Sequence, residues 1–572
     1  MVHKPILRGH AGHALLVSIA LASAWAVGTM SCSDDSSSSG WVGGKGGADS
    51  GSDADGAGHA GKDGSVEAGG NGGGSGPVDG SLDGKAEGGD SGGITAPAFD
   101  WVGIIGTGQS LSCGASGTPV VSTTQPFHNL KLDDSSPAPK YDGVGDKLSL
   151  VPLVAPLRPP DPNLPQTHYP NNIWGETPNE GMANQMSATS LALGGFELVS
   201  IHTNVGIGGQ PMSVIKKDGT GNSYASSLYE AKAIQLLAQQ AGKKLGYGAV
   251  ILTHGESDFN NDTYDQEVYQ LQKDYNADLK AITGQIANVP LILTQQSTFP
   301  FDSGSTAPST LLAWKASVQH PGEVLCAGSK YQYDYSVDKV HLSAPQYRRL
   351  GEKYAEVYVR GVLSKQGWKP LQPNAAKLAG QLITVDFDVP DPPMAWEDTR
   401  PAPHQQAFTQ WSKARGFEVL TQTELLTISS VSIAGNQVLI ALAAPPPAGV
   451  DLYVGYAMVQ DGQGASGGTP LGRGGQLRDS DSFEGYDGKT ILCTVSPGSS
   501  TIKAVTPSDF AEISRTDVVS GDGLANLAVV ASVSGDTIML SEPYTKAAGT
   551  VALKFRHDHR NYAVQFLMNV TK

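Results

Sequence analysis

The sequence predicts an α/β domain, built on a parallel sheet covered on both faces, followed by an all-β region. Three observations predict it. From Phe99 onward, short β-branched runs alternate with segments of helical period, and each short run ends in a polar, glycine-punctuated turn. Beyond Trp368-Lys369-Pro370 the helical period stops, and short alternating runs bounded by Pro, Gly and Asn take over. The 572 residues are enough for more than one domain. The formal charge of −16 does not suit a nucleic-acid partner, because phosphate binding needs clustered Lys and Arg.

Residues 1–32 have the pattern of an export signal: Lys4 and Arg8 in front, an apolar stretch from Ala14 to Val27, then Thr29-Met30-Ser31-Cys32. A small residue before a Cys after such a stretch resembles a bacterial lipobox, which makes Cys32 the expected lipidation site. Ordinary cleavage near Ala24 or Ala26 is the alternative and gives a soluble exported protein. Residues 33–97 are Ser, Gly and Asp with eleven acidic residues against Lys45, Lys62 and Lys85. Such a stretch buries too little to offset its ordering entropy, so a disordered, self-repelling linker is expected. The expected location is therefore outside the cytoplasm, held to the cell envelope by a lipid or secreted. No later run is long and apolar enough to cross a bilayer as a helix.

The first folded domain is expected over 98–366. Trp101 to Ser112 (WVGIIGTGQSLS) reads as a buried strand ending in a turn that presents Ser110. The stretch 133–180 carries ten prolines and is read as irregular, with His168, Tyr169 and Trp174 as residues that line a sugar site or a structural cover. Ala183–Leu193 is a helix and Glu197–Ile201 a strand leading to Gly208-Gly209. Tyr224–Gln240 is a helix. Ala249–Leu252 is a strand delivering His254-Gly255-Glu256-Ser257-Asp258. Thr263–Ile282 is a helix capped by Asp262 or Thr263, Pro290–Thr294 a strand, Leu311–Val318 a helix and Glu323–Cys326 a strand. Ala344–Val362 closes the domain, just after Asp338-Lys339-Val340-His341.

In open α/β sheets, ligands bind at the carboxyl ends of strands, where all these polar motifs fall. A serine hydroxyl needs a base and an orienting carboxylate, which His341 and Asp338 supply. A glycine turn at 208–209 offers N–H groups to an oxyanion. His254, Glu256 and Asp258 allow a metal reading, but no second His or Cys cluster completes a ligand set. In an oxidising compartment Cys113 and Cys326 are a possible bridge, leaving Cys493 over.

Gly-Gln-Ser at 108–110, Gly-Gly at 208–209, His-Gly-Glu-Ser-Asp at 254–258 and Asp-x-x-His at 338–341 resemble the SGNH/GDSL hydrolases, and within them the sialate O-acetylesterase-like carbohydrate esterases. The resemblance implies a flavodoxin-like three-layer α/β/α fold, with Ser110 as nucleophile, His341 as base and Asp338 as its partner. It places the Ser110 and Gly209 amides in an oxyanion hole. Gln109, His254 and Glu256 are expected to line the site or orient substrate, with Glu256 equally suited to be a structural hydrogen-bond partner that holds the Ser110 loop. No cofactor or metal is implied. The implied partner is an acetylated carbohydrate, and activity should rise with pH as His341 loses its proton. The chain departs from the pattern in having Leu111 after the serine and Gln210-Pro211 after Gly-Gly. The other function class is a glycan-binding or adhesion protein with the same fold and no turnover.

Residues 370–572 are expected to form a β-sandwich or jelly-roll-like region. Leu382–Phe387, Val389–Pro393, Arg473–Asp481 and Asn561–Phe566 resemble the β-domain of phage-type SGNH proteins, interrupted by an insertion at about 485–558 that contains Cys493. Its expected role is to pack beside the first domain, with Trp396, Trp411 and Tyr453 as core residues before sugar platforms.

Overall fold

The computed structural model of the chain describes residues 93–133, 149–158, 173–300, 306–364, 366–400, 403, 408–459, 473–483, 485–486, 488–524 and 528–572. The leader with Cys32, the linker up to residue 92, and His168 and Tyr169 lie outside the described residues.

The elements run β1 (Trp101–Gly108), β2 (Leu130–Leu132), β3 (Leu150–Pro152), α1 (Pro178–Gly194), β4 (Ser200–Asn204), α2 (Met212–Ile215), α3 (Ser223–Gln240), β5 (Leu245–Thr253), α4 (Tyr264–Thr283), β6 (Leu291–Gln295), α5 (Pro308–Gln319), β7 (Val324–Ser329) and α6 (Ala344–Tyr358). They build a seven-stranded sheet in the order β3-β2-β4-β1-β5-β6-β7. Only β3 is antiparallel to its neighbour. β1 lies at the centre, between β4 and β5.

The two-residue period of the strands sorts side chains to opposite faces. Val102 and Ile104 of β1, Ala249 and Ile251 of β5, and Ile292 of β6 pack with α1 and α6 through Met182, Met186, Leu350 and Tyr354. Ile105, Val250, Leu252, Leu291 and Leu293 face the other way, against Ile234 of α3, Val268 and Leu271 of α4 and Leu312 of α5. Both faces are therefore covered, which explains why the strands read as continuous apolar runs.

The Pro-rich stretch is not wholly irregular. Leu150–Pro152 pairs along the free edge of β2, a place where proline is tolerated. α1 starts at Pro178, earlier than its apolar period suggests, because Thr177 and Glu180 form a capping box and proline suits the first helical turn. The Cys113–Cys326 bridge does not form: both thiols are free and buried. Cys326 lies on β7, three strand spacings or about 14 Å from β1, beyond the ~7 Å that a disulfide spans. Burial pushes both thiols up to about 12.

Glu180 yields a stability prediction. Its side chain is fully buried, accepts from the Thr177 N–H at 3.1 Å and the Thr177 hydroxyl at 2.6 Å, and leaves Oε1 without a hydrogen bond. Burial first, and then the charge of Glu176, pushes its carboxyl from the ordinary 4.5 up to about 8. The folded state thus keeps a proton that the unfolded chain releases. Stability is fully present below about pH 4.5 and is lost as pH rises toward 8. Glu180→Gln keeps the capping box without the charge. Chemical denaturation at pH 8 should show a gain on the order of 2 kcal/mol that disappears at pH 4.5.

Beyond α6 and one π turn at Val359–Leu363 the described residues form strands and loops, with two short 3₁₀ turns at Thr409–Trp411 and Pro507–Phe510. One antiparallel sheet has the order Ile428–Ala434, Gln437–Leu442, Leu382–Asp388, Gln372–Ala379. A second pairs Phe417–Leu420, Tyr453–Tyr456 and Phe566–Asn569. The inserted stretch is a closed six-stranded barrel running from Lys489 to Arg556. Trp411 is fully buried, while Trp396 and Tyr453 are half-buried. Arg415 lies 5.0 Å over the Trp396 ring.

The β sheets share one apolar core with the α3–α5 face, joining Leu293 and Leu312 to Phe417, Tyr456 and Phe566. Polar contacts seal the seam. The Gln565 N–H donates to Gln295 Oε1 at 2.8 Å, its carbonyl accepts from Gln295 Nε2 at 2.7 Å, and its Oε1 accepts from the Ser297 hydroxyl at 2.8 Å. On α6, Arg349 lies 3.3 Å from Asp558, Glu352 2.8 Å from His557, and Lys353 3.0 Å from Asn561 Oδ1. Glu356, Asp391 and Asp481 come together near these, but Arg360 bridges all three carboxylates, at 3.2, 2.5 and 3.0 Å.

Candidate active site

Strand β1 ends at Gly108, whose φ of +132° and contact with the Thr253 carbonyl leave no room for a side chain: a Cβ there would lie 2.2 Å from that oxygen. The chain then turns back on itself, with the Ser112 N–H on Gln109 O at 2.8 Å and the Ala115 N–H on Ser110 O at 3.1 Å. This leaves Ser110 half-buried above the centre of the sheet.

After β4 the chain keeps running beside β1: Val205 N–H reaches Gly106 O at 2.9 Å and Ile207 N–H reaches Gly108 O at 3.0 Å. Gly208-Gly209 therefore comes level with Gln109-Ser110. Gly209 has φ +68°, the left-handed region that glycine enters freely. The Trp174 ring occupies the space where a Cβ on Gly208 would stand, 2.4 Å from it. Among the described residues, neither the Ser110 nor the Gly209 amide has a hydrogen-bond partner.

From the far edge of the sheet, the chain after β7 returns as a hairpin. Tyr335 pairs with Leu342, and the Ser336 N–H bonds the His341 carbonyl at 2.7 Å. His341 Nε2 stands 2.7 Å from Ser110 Oγ, and its Nδ1 stands 2.8 Å from Asp338 Oδ2. The carboxylate of Asp338 accepts only, so Nδ1 carries the proton and Nε2 accepts from the serine hydroxyl. Asp338 Oδ1 also takes the N–H groups of Val340 and His341, each at 2.9 Å, and Oδ2 the Ser116 hydroxyl at 2.7 Å. Partial burial pushes the Asp338 carboxyl up, but these hydrogen bonds, the His341 ring first, outweigh it and hold it far below the usual range. The carboxylate is thus locked in its charged form beside the imidazole.

In the 254–258 motif His254, Gly255 and Glu256 are buried, and Ser257 and Asp258 are half-buried. The motif is a clasp. His254 is buried, with Nε2 donating to Gln210 O at 3.0 Å and Nδ1 accepting from the Tyr264 hydroxyl at 2.9 Å. Burial pushes its imidazole below the ordinary range, and the Gln210 carbonyl, which only accepts, fixes the tautomer with the proton on Nε2. Asp258 Oδ2 accepts from Met212 N–H at 2.7 Å. The clasp therefore grips the chain on the far side of Gly209 at two points. Glu256 is buried and paired with Lys330, and Gln109 is buried with Oε1 accepting from the Ser257 N–H at 2.9 Å. Gln109, His254 and Glu256 thus contact protein and tie the loops that carry Ser110 and Gly209, the structural part that the sequence reading also allows for Glu256.

No protein-family profile and no curated protein sequence matches the chain. Solved structures resemble parts of it. XAC1771, a carbohydrate acetylesterase from Xanthomonas citri, aligns over 67% of this chain and 81% of its own at 13% identity and a TM-score of 0.42. An Arabidopsis thaliana protein aligns over 46% of this chain and 98% of its own at 16% identity and a TM-score of 0.32. NanS aligns over 47% and 98% at 10% identity and a TM-score of 0.29.

Several residues that shape the site carry little signal in the sequence. Ser116 gives none. Asn204 has a weak one, as a polar residue at a strand end before a glycine: its Oδ1 accepts from the Gly206 N–H at 2.9 Å and its Nδ2 donates to Ser112 O at 2.5 Å. Lys330 follows β7 directly, but its partner Glu256 lies 74 residues away in the chain.

Proposed function

We propose that the chain is a serine esterase of the SGNH type that removes O-acetyl groups from carbohydrates. The observation that carries the esterase reading is the unbroken contact from Ser110 Oγ through the His341 ring to Asp338. As Ser110 Oγ attacks the ester carbonyl, Nε2 takes its proton. Asp338 holds Nδ1–H and stabilises the imidazolium that forms. The Ser110 and Gly209 amides, level with each other and without a hydrogen-bond partner among the described residues, suit the developing oxyanion. His341 then returns the proton to the departing sugar oxygen, and water releases acetate from the acyl-enzyme. The carbohydrate part of the reading rests on the order of the four sequence motifs. An exported chain anchored through Cys32 would hold this domain off a membrane surface on its acidic linker.

Acetate release from a panel of acetylated glycans and xylan is the direct test. The expected result is release from at least one acetylated glycan, absent in Ser110→Ala. Failure of the wild-type chain to react with a fluorophosphonate at Ser110 would reject the esterase reading in favour of a binding protein.

A further inference from the structure

The hairpin bearing Asp338 and His341 stands out from the fold. The Asp338 side chain is 38% exposed and Val337 is 94% exposed. Lys339 holds φ +66° at the tip, where a residue other than glycine is disfavoured. Yet His341 must stay within hydrogen-bond reach of a serine carried by the central strand, three strands away from β7.

Both legs of this hairpin are gripped from outside by one loop of the inserted barrel, Glu512–Asp517. On the incoming leg, Arg515 Nη2 lies 3.0 Å from Asp334 Oδ1, one residue before the Tyr335–Leu342 pair. On the outgoing leg, in the first turns of α6, Gln346 Nε2 donates to Ser514 Oγ at 2.8 Å. There Arg348 Nη2 donates to Glu512 Oε2 at 3.3 Å and Arg349 Nη1 to Thr516 Oγ1 at 3.3 Å. Arg400, also from the β region, adds to the hold by donating to the carbonyls of Tyr331 and Gln332.

The loop itself is tightly determined. Thr516 has φ +73°, an outlier for a β-branched residue. It is kept there by its N–H on Val530 O at 2.7 Å, and the loop is closed by the Ser514 N–H on Asp517 Oδ2 at 2.8 Å. Backbone strain of this kind persists only where the surroundings over-determine it.

We propose that the Glu512–Asp517 loop is a positioning element for the catalytic hairpin, and that Arg515, through Asp334, sets the alignment of His341 on Ser110. This rests on the esterase reading above. Arg515 touches no reacting atom, so it is a positioning residue. Its ion pair is partly exposed, at 15% and 25% for the two side chains. Such a pair adds little to stability. Its effect should appear in turnover, because a misplacement of about 1 Å costs on the order of 100-fold in rate.

The test uses the full-length chain carrying Arg515→Ala, Arg515→Lys, Asp334→Ala or the Ala/Ala pair, with Ser110→Ala alongside. For Arg515→Ala, kcat on p-nitrophenyl acetate and the rate of fluorophosphonate labelling should each fall about 10- to 100-fold. KM should stay within about threefold and the thermal midpoint should not move. Arg515→Lys should recover most of the loss, and the double variant should be no worse than either single one. Wild-type kcat in Arg515→Ala beside an inactive Ser110→Ala would overturn the positioning role alone. So would losses that multiply in the double variant. A wild-type chain that is neither labelled nor active would remove the esterase reading, and this role with it.

Discussion

Ser110→Ala should leave less than about a thousandth of wild-type turnover on p-nitrophenyl acetate, with KM nearly unchanged. The expectation follows from what the substitution takes away and what it leaves. The hydroxyl at 2.7 Å from His341 Nε2 is lost, and no other described side-chain hydroxyl is bonded to that nitrogen. The 208–209 turn does not depend on Ser110, since the His254–Gln210 and Asp258–Met212 contacts hold it. Binding should therefore survive while attack does not. His341→Ala should fall to a similar floor, and Ser110→Ala/His341→Ala no further, because the two groups act in one step. Steady-state assays on the three purified variants check this. Multiplying losses would mean that serine and histidine act separately.

The second large effect is on folding. Residues 98–366, expressed without the β region, should be aggregated or lack fixed tertiary packing, measured by near-UV circular dichroism and size exclusion. Cutting there exposes the apolar face that packs on Phe417, Tyr456 and Phe566. It also removes the polar partners that the β region supplies to α6. Arg349 loses Asp558, Glu352 loses His557, and Lys353 loses Asn561 and the His559 carbonyl. The fragment then presents to water an apolar face that belongs to the shared core, which favours association over a single packed state. A monomeric fragment with full activity would contradict this account.

The sequence makes the strand ends legible because a buried parallel strand is a continuous apolar run, and the turn after it is polar. That is how Ser110, Gly208-Gly209, His254–Asp258 and Asp338–His341 can be picked out before any coordinates. What the string does not encode is which side chains point into the cleft and which point beneath it. Glu256 and His254 look like site residues in the sequence, since polar groups beside a buried strand suggest chemistry. Their partners, Lys330, Tyr264 and the Gln210 carbonyl, come from elsewhere in the chain and turn them into structure. Ser116 is invisible for the opposite reason: a serine in a glycine-rich turn is ordinary until the fold brings Asp338 to 2.7 Å from it. The strand boundaries slipped by a few residues where pairing overrode local pattern, as in β5, which begins at Leu245, ahead of the expected Ala249. The insertion at about 485–558 is legible as a separate stretch, but nothing in the string says that its six strands close into a barrel.

The Gln565 seam has a consequence for the time order of folding. Gln295 sits at the end of β6, and both its side-chain amide and its side-chain carbonyl are matched to the backbone of a residue 270 positions later. During synthesis the α/β sheet can form its local β-α-β contacts, but the polar side chains of Gln295 and Ser297 after β6 lack these partners until Gln565 has emerged. Contacts of such long sequence separation slow folding and leave a partly built sheet open to aggregation in the interval. Ribosome-bound chains arrested before Gln565 should therefore remain open to protease over β6–β7. The strand Phe566–Asn569 is thus a latch that closes over the end of β6 only after the whole β region before it has emerged.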